Sequence, residues 1–283
     1  MIAITAARGN IGRHLAQMLA AAGAPARLLV RDQDTASAAT GGGIQEVVAA
    51  DLDHPGTLDA ALVGVTQLFL VSPGPDTPAQ DAAAIAAAER AGVRHIVLLS
   101  SLGVELGGVG GGRAHAPGEA TLTASSMDWT ILRPNEFMTN TRGWLPEIAA
   151  RGTISVPTGR GTVGYIDPAD IAAIAFAALT ASGQAGRIYR LTGPETLSTT
   201  EVATRIGAAL GKEVQHVDVP DATFRANAHD AHMPEAMIAL LSEYYGAVKE
   251  GRMAVLTPDV EQVTGRRPNA FADWVRATIT PVV

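Results

Sequence analysis

The sequence predicts an α/β fold, a doubly wound parallel sheet with a smaller α+β part towards its C-terminal end. Three observations predict it. Short, near-continuously apolar strands alternate with helical stretches, which is the pattern of strands buried on both faces. The first strand runs directly through a glycine turn into a helix with apolar periodicity. With 47% hydrophobic and 17% charged residues over 283 positions, the chain can bury a sizeable core.

The opening strand is Ile2-Ala-Ile4, and Thr5 to Gly12 form the turn. Ala6, Gly9 and Gly12 fall at the spacing of a G-x-x-G-x-x-G turn, with alanine in the first place. Such a turn lets backbone N–H groups approach a pyrophosphate. The helix that follows, with Ile11, Leu15, Met18 and Leu19 along its apolar stripe, presents its positive end to the same charge. The plainer alternative is an ordinary strand-turn-helix connection. Ala26 to Arg31 reads as the second strand and Ile44 to Ala49 as the third, followed by Asp51-Leu52-Asp53 and a helix from Thr57 to Leu62. Leu68 to Val71 is the fourth strand, stopped by Ser72-Pro73-Gly74-Pro75. An alanine-rich helix from Asp81 to Ala91 closes at Gly92. His95 to Leu99 is the fifth strand, ending in Ser100-Ser101, and Trp129 to Leu132 the sixth, ending in Arg133-Pro134.

From about residue 141 the alternation loosens. Short strands are expected at Ile154 to Val156 and Tyr165 to Asp167, with a helix from Asp170 to Leu179 and a strand from Arg187 to Leu191. Ser198 to Leu210 reads as a helix behind a Ser-x-x-Glu capping box, Ser198 with Glu201. Val214 to Val219 is a further strand, the remainder is mostly helical, and Gly107 to Gly112 is a glycine-rich loop. This gives a core of residues 1–140, rejoined by 160–192, and a smaller substrate-binding part from 141–159 and 193–283. The ligand crevice is expected at the carboxyl ends of the strands, facing that smaller part.

Composition narrows the function. The absence of cysteine excludes a disulfide framework, a thiolate metal site and a cysteine nucleophile. A net charge of −7 with no basic stretch argues against a nucleic-acid binder. No cationic-then-apolar leader and no run of about eighteen apolar residues is present. The expectation is a cytoplasmic protein without nucleic-acid or membrane partners.

Together these residues resemble the atypical short-chain dehydrogenases, in the NmrA-like branch that includes NAD(P)H:quinone reductases. The segments carrying the resemblance are Thr5-Ala-Ala-Arg-Gly-Asn-Ile-Gly12, Leu29-Val-Arg31-Asp32, Asp51-Leu52 and His95-Ile-Val-Leu-Leu-Ser-Ser101. Trp129-Thr-Ile-Leu-Arg-Pro134, Phe137-Met-Thr-Asn140 and Tyr165-Ile-Asp-Pro-Ala-Asp-Ile-Ala172 follow in the family order. The resemblance implies a Rossmann-type core binding NADP(H), with NAD(H) as the alternative. It places Gly9, Asn10, Ile11 and Gly12 at the pyrophosphate, Arg31 at the adenosine ribose and its 2′-phosphate, Asp51 and Leu52 at the adenine, and Ser72 and Pro73 beside the nicotinamide ribose. Thr5 and Ser100 complete the implied set. Arg8, inside the turn, offers a second guanidinium to the 2′-phosphate. Either arginine is otherwise a solvated loop charge, and Asp32 would offset part of Arg31.

The catalytic pattern departs from the wider family. A Tyr-x-x-x-Lys pair on the helix after the fifth strand is missing, and the chain has two lysines, Lys212 and Lys249. Tyr245-Gly-Ala-Val-Lys249 has the spacing but lies in the C-terminal part, where Tyr244 and Tyr245 read as packing. Counting forward from Ser101 reaches His115-Ala-Pro-Gly-Glu119, and the branch often carries histidine and glutamate there. Ser101, His115 and Glu119 are therefore the candidate catalytic residues, His115 as acid with Glu119 raising its pKa. Pro117 speaks against both sharing one helix face, which leaves His115 as a polar loop residue. Asn135, Phe137, Met138, Trp144 and Tyr165 are the candidate acceptor-pocket residues, the alternative for Phe137 and Met138 being core. His229, Asp230 and His232 lack a third metal ligand, so no metal is expected, and Phe224 to Met237 reads as a helix or lid.

Without the tyrosine, a quinone is a more plausible acceptor than an isolated ketone, because hydride addition leaves a delocalised, weakly basic anion. The expected activity is NAD(P)H-dependent hydride transfer to a quinone or conjugated aromatic. By family analogy it extends to the reductase part of aromatic-polyketide hydroxylation. The alternative is a non-catalytic NAD(P)-sensing regulator, while a sugar-nucleotide epimerase is disfavoured for want of the tyrosine base. Expected partners are the small aromatic substrate and a second copy of the chain in a homodimer.

Overall fold

The structure is a computed structural model and describes residues 1–31, 45–74 and 76–279. Asp32, Ile44 and Pro75 lie outside the described residues. Six strands come first: β1 (Ile2–Ile4), β2 (Ala26–Val30), β3 (Gln45–Ala49), β4 (Gln67–Leu70), β5 (His95–Leu99) and β6 (Asp128–Pro134). They alternate with α1 (Gly12–Ala21), α2 (Leu58–Ala61), α3 (Thr77–Ala91) and α4 (Gly112–Thr123). Beyond β6 come α5 (Leu145–Arg151), β7 (Thr153–Ser155), β8 (Thr162–Val163), α6 (Pro168–Thr180) and β9 (Arg187–Leu191). The chain continues through β10 (Leu197–Ser198), α7 (Thr199–Leu210), β11 (Gln215–Val217), α8 (Asp221–Asp230), α9 (Glu235–Lys249), α10 (Asp259–Thr264) and α11 (Phe271–Thr278).

The main sheet is parallel throughout, in the order β3-β2-β1-β4-β5-β6-β9. Strand order reverses between β1 and β4, and a crevice opens at the carboxyl ends on either side of that switch. Ile4 pairs with Leu28 on one side and Phe69 on the other. Where β1 ends, the Thr5 hydroxyl continues the ladder, donating to the Val71 carbonyl at 2.8 Å and accepting from the Val71 N–H at 2.7 Å. One face of the sheet buries Leu15 and Leu19 of α1 with Ile171 and Ile174 of α6, and the other buries Leu58, Ile85 and Leu122. A separate core, built on Val202, Ile206, Ile238, Phe271 and Trp274, belongs to the C-terminal part, whose two small sheets are β8–β10 and β7–β11.

Three expectations change. Tyr165 to Asp167 is not a strand: the pairing lies earlier, in β8, and Ile166 forms a single bridge with Phe137. The physical reason is that Asp167 caps α6, accepting from the Ala169 N–H at 2.9 Å, with Pro168 at the first helical position. The helix after β5 begins at Gly112, so His115 and Glu119 lie on one helix with Pro117 inside it. Gly112 permits the early start, since a Cβ there would lie 2.7 Å from the Val104 nitrogen of the preceding turn. Phe224 to Met237 is divided between α8 and α9 by a turn in which His232 takes a φ of 58°.

The smaller part is pinned to the sheet by the two aspartates of the Tyr165–Ala172 motif. The Asn269 amide nitrogen donates to Asp167 at 2.9 Å, and its backbone N–H donates to Asp170 at 2.7 Å. Arg266 pairs with the buried Asp170 carboxylate at 2.7 Å. Among the described residues no helix is long and apolar enough to cross a membrane.

Candidate active site

Two cavities meet the carboxyl edge of the sheet. The first, of about 740 Å³, runs from the glycine turn across the ends of β1 and β2 to the loops after β3 and β4. Its wall includes Thr5, Arg8, Gly9, Arg31, Asp51 and Leu52, with Pro73 at the far end. The turn is closed by a hydrogen bond from the Gly9 N–H to the Ala6 carbonyl at 2.8 Å. Gly12 is required by contact: a Cβ there would overlap the Ala6 carbonyl oxygen and lie 2.7 Å from Ala7 Cα. Ala6, standing where glycine is expected, has a φ of 47° in the left-handed region, which for alanine carries a conformational cost. Helix α1 begins with no side-chain cap and no acidic residue in its first turn, so its N-terminal charge is left for an anion. An uncapped helix end, glycine contacts and two arginines suit a dinucleotide phosphate.

The other implied cofactor residues stand behind this wall. Ile11 is buried core, and the Asn10 amide donates to Thr139 at 3.3 Å, tying the glycine turn to the segment after β6. Burial alone would raise the Asp51 carboxyl. Its hydrogen bonds from His54 and the Asp53 N–H more than offset this and hold it below the usual carboxylate range. Ser72 donates to Asp81 at 2.6 Å beneath the Pro73 loop. Burial pushes that carboxyl up to about 6, and its second oxygen has no hydrogen-bond partner. Asp81 in turn presses on α4, where a Cβ on Gly118 would lie 2.8 Å from its Cγ. Gln80, which sequence reasoning passed over, clamps the same loop: it donates to Asp53 at 2.6 Å and accepts from the Gly74 N–H at 3.0 Å. Nothing in the local pattern marks it, because an alanine-rich helix shows no sign of which polar residue faces inward.

Between the cavities stand the candidate catalytic residues. Ser100 donates to Glu119, and Arg133 binds both oxygens of that carboxylate, its Nε at 2.9 Å. Arg133 also pairs with Glu105, which Arg190 binds in turn at 2.7 Å, so a chain of alternating charge crosses the ends of β6 and β9. Glu119 is thus committed to Arg133. Ser101 accepts from the Gly103 N–H at 3.1 Å and reaches the second cavity. Burial lowers the His115 pKa more than the Glu119 charge raises it, contrary to the expectation that Glu119 would hold the ring protonated. The His115 Nδ1 is buried without a partner.

The second cavity, of about 910 Å³, separates the ends of β5 and β6 from the C-terminal part. Asn135, Trp144 and Tyr165 line it. The Asn135 amide is engaged structurally, donating to the Met253 carbonyl at 3.1 Å and accepting from the Glu136 N–H at 2.9 Å. Met138 is fully buried in the C-terminal core, while Phe137 packs against the sheet core; neither lines the cavity. The opposite wall comes from α8, α9 and the turn between them and carries Met233, Met237, Tyr244 and Tyr245. Lys249 lies on the far side near Asp218, which separates it from Tyr245 in function despite the spacing. His229 pairs with Glu235 at 3.2 Å, and no trio of metal-ligating side chains occurs among the described residues.

Glu136 is a second residue that sequence reasoning passed over. It lines the cavity directly after Asn135 and accepts from the Asn140 amide at 2.8 Å. Burial raises its pKa. Its position at a strand's carboxyl end was the available signal.

A model of the NAD(P)H-binding family matches residues 6–182. The chain is 35% identical over 279 residues to an NAD(P)H azoreductase of Xenophilus azovorans, covering 98% of this chain and 97% of that protein. It is 35% identical over 276 residues to a (4-alkanoyl-5-oxo-2,5-dihydrofuran-3-yl)methyl phosphate reductase of Streptomyces griseus, covering 97% and 96%. The crystal structure of the NADPH-dependent quinone oxidoreductase QOR2 of Escherichia coli with NADPH superposes with a TM-score of 0.89 at 26% identity, covering 98% of this chain and 99% of that one.

Proposed function

The chain belongs to the NAD(P)H-binding family, in its NmrA-like branch, and is an NAD(P)H-dependent reductase; from that premise we propose that its acceptor is a quinone or similar conjugated aromatic. The observation that carries this reading is the state of α4. Where a tyrosine and lysine would supply a strong acid, His115 is half-buried with its pKa lowered by desolvation, and Glu119 is bound by Arg133 and Ser100. A conjugated acceptor spreads the incoming charge, so positioning does most of the work that an acid would otherwise do.

The first cavity holds the cofactor: Gly9 and the start of α1 meet the pyrophosphate, Arg8 and Arg31 the 2′-phosphate, Asp51 and Leu52 the adenine, and Pro73 the nicotinamide ribose. NADP(H) is favoured over NAD(H) because a guanidinium matches a phosphate and gains nothing from a free hydroxyl. Bound there, the reduced nicotinamide supplies the hydride. Ser72, fixed by Asp81, and the Gln80 clamp hold the Pro73 loop that frames the ring. Trp144, Tyr165, Tyr244 and Tyr245 form aromatic walls for a flat acceptor. The names of the azoreductase and the quinone oxidoreductase support an acceptor of this kind. The finer role, reduction of a fused-ring quinone in aromatic-polyketide hydroxylation, requires that such an acceptor fit.

The test follows nicotinamide absorbance with NADPH or NADH against benzo-, naphtho- and anthraquinones. Acceptor-dependent NADPH oxidation is expected, falling by no more than about fivefold in His115→Ala, since a ring whose pKa is lowered contributes little acid catalysis. A larger loss with cofactor binding intact makes His115 the acid. Cofactor binding with no turnover of any acceptor returns the chain to the sensing role.

A further inference from the structure

Across the acceptor cavity from the sheet, the Tyr244 hydroxyl is buried against the Glu136 carboxyl, short of full hydrogen-bond geometry and with no other polar partner. A buried hydroxyl left unpaired is costly, and such exceptions concentrate where a ligand completes the set. Tyr244 faces Glu136. Its phenol is raised by burial first and then by the Glu136 charge, so the two side chains sense each other across the cavity wall. Glu136 has the Asn140 amide on one oxygen and, among the described residues, no cationic partner. The other titratable groups facing it are Tyr165, at the approach to α6, and Tyr245 of α9, both pushed up by burial and by the Glu136 charge. Glu147 of α5 bears on Tyr245 alone, its carboxylate being engaged by the Thr153 and Ser155 hydroxyls at 2.9 and 2.6 Å.

We propose that Glu136 and Tyr244 form a proton-donating pair in the acceptor cavity, serving acceptors whose reduced form is too basic to remain unprotonated. The inference rests on reading this cavity as the acceptor site. Hydride adds to one end of the acceptor's conjugated system, its π bond breaks, and the electron pair moves to the far oxygen or nitrogen. That atom takes the Tyr244 hydroxyl proton as Tyr244 takes the Glu136 carboxyl proton, and the Glu136 carboxylate regains a proton from solvent. NADPH is oxidised, the acceptor is reduced, and one solvent proton is consumed. A carboxyl raised by burial holds its proton closer to neutral pH than an exposed one, and Tyr244 brings a neutral donor to the acceptor. The hydroxyl, otherwise set only against Glu136, thereby gains a well-aligned partner when an acceptor enters.

The test compares wild type, Glu136→Gln and Tyr244→Phe with two acceptors, a naphthoquinone giving a weakly basic hydroquinone anion and an azobenzene giving a strongly basic nitrogen anion. With the azo compound both variants should lose about a hundredfold in kcat, and with the quinone no more than about fivefold. The wild-type azo rate should fall as pH rises through the Glu136 titration, and that limb should vanish in Glu136→Gln. NADPH affinity, read by fluorescence, should be unchanged, which separates the effect from misfolding. Equal losses with both acceptors, no loss with either, or a pH limb that survives Glu136→Gln overturns the pair. If wild type binds NADPH but reduces neither acceptor, the acceptor reading itself falls, and the pair with it.

Discussion

The cofactor cleft and the acceptor cavity share one sheet edge but are made of different material. The cleft is built from backbone: a turn closed by its own amide, a glycine against a carbonyl, an uncapped helix end and a strand ladder prolonged by the Thr5 hydroxyl. The cavity is built from side chains that arrive from the end of β6, the approach to α6, and α8 and α9. Backbone geometry recognises what all dinucleotides have in common, and side chains can change without disturbing the strands that carry them. One end is therefore fixed by backbone contact, while the lining of the other is free to vary.

The severest trial of that contrast is Gly12→Ala. Its methyl meets the Ala6–Ala7 backbone, which cannot turn aside, so it should cost about 3 kcal/mol and weaken NADPH binding by at least about tenfold. Denaturant unfolding and NADPH titration check it, and near-normal binding would mean the cleft is less dependent on backbone contact than the geometry implies. Asp81→Asn probes the floor between the two regions. The folded carboxyl titrates at about 6 against an ordinary 3.8, so the native state holds this proton more tightly than the unfolded chain. Its contribution is complete at low pH and is lost as pH rises through about 6, an effect of about 3 kcal/mol. Asparagine cannot titrate, so the fall in Tm from about pH 4 to about pH 7 should flatten in the variant. A Tm profile identical to wild type would show that Asp81 is not the titrating group. The smallest effect is expected from Ala6→Gly, which relieves the left-handed φ and should raise stability by about 0.5–1 kcal/mol with cofactor affinity retained. A loss of stability would indicate that the alanine methyl makes contacts worth more than the strain.

The same contrast governed what could be read in advance. Strands β5 and β9 coincide with the expected residues, and the capping box of α7 is present as anticipated, because apolar runs and cap residues act locally. The glycine turn was legible for the same reason. The acceptor side was legible in part: Asn135, Trp144 and Tyr165 reach the cavity, while Phe137 and Met138 do not. Asn135 and Met138 carry the right chemistry for a pocket, yet Asn135 is tied to Met253 and Met138 is buried in the C-terminal core, both decided by segments far along the chain. Glu136 and Tyr244 become neighbours only after α9 has docked. The start of α4 lies ahead of where Pro117 alone would place it, because the contact of Gly112 with the preceding turn acts from outside the helix.

The pins from Asn269 to Asp167 and Asp170 join residues 102 and 99 positions apart. Contacts of that separation form late, since the chain must first close a long loop. During synthesis the nucleotide-binding strands emerge and pair while both aspartates await a segment not yet made. A nascent chain can thus acquire a cofactor grip well before it has a place for the second reactant, and the last stretch of sequence decides when the two are brought together.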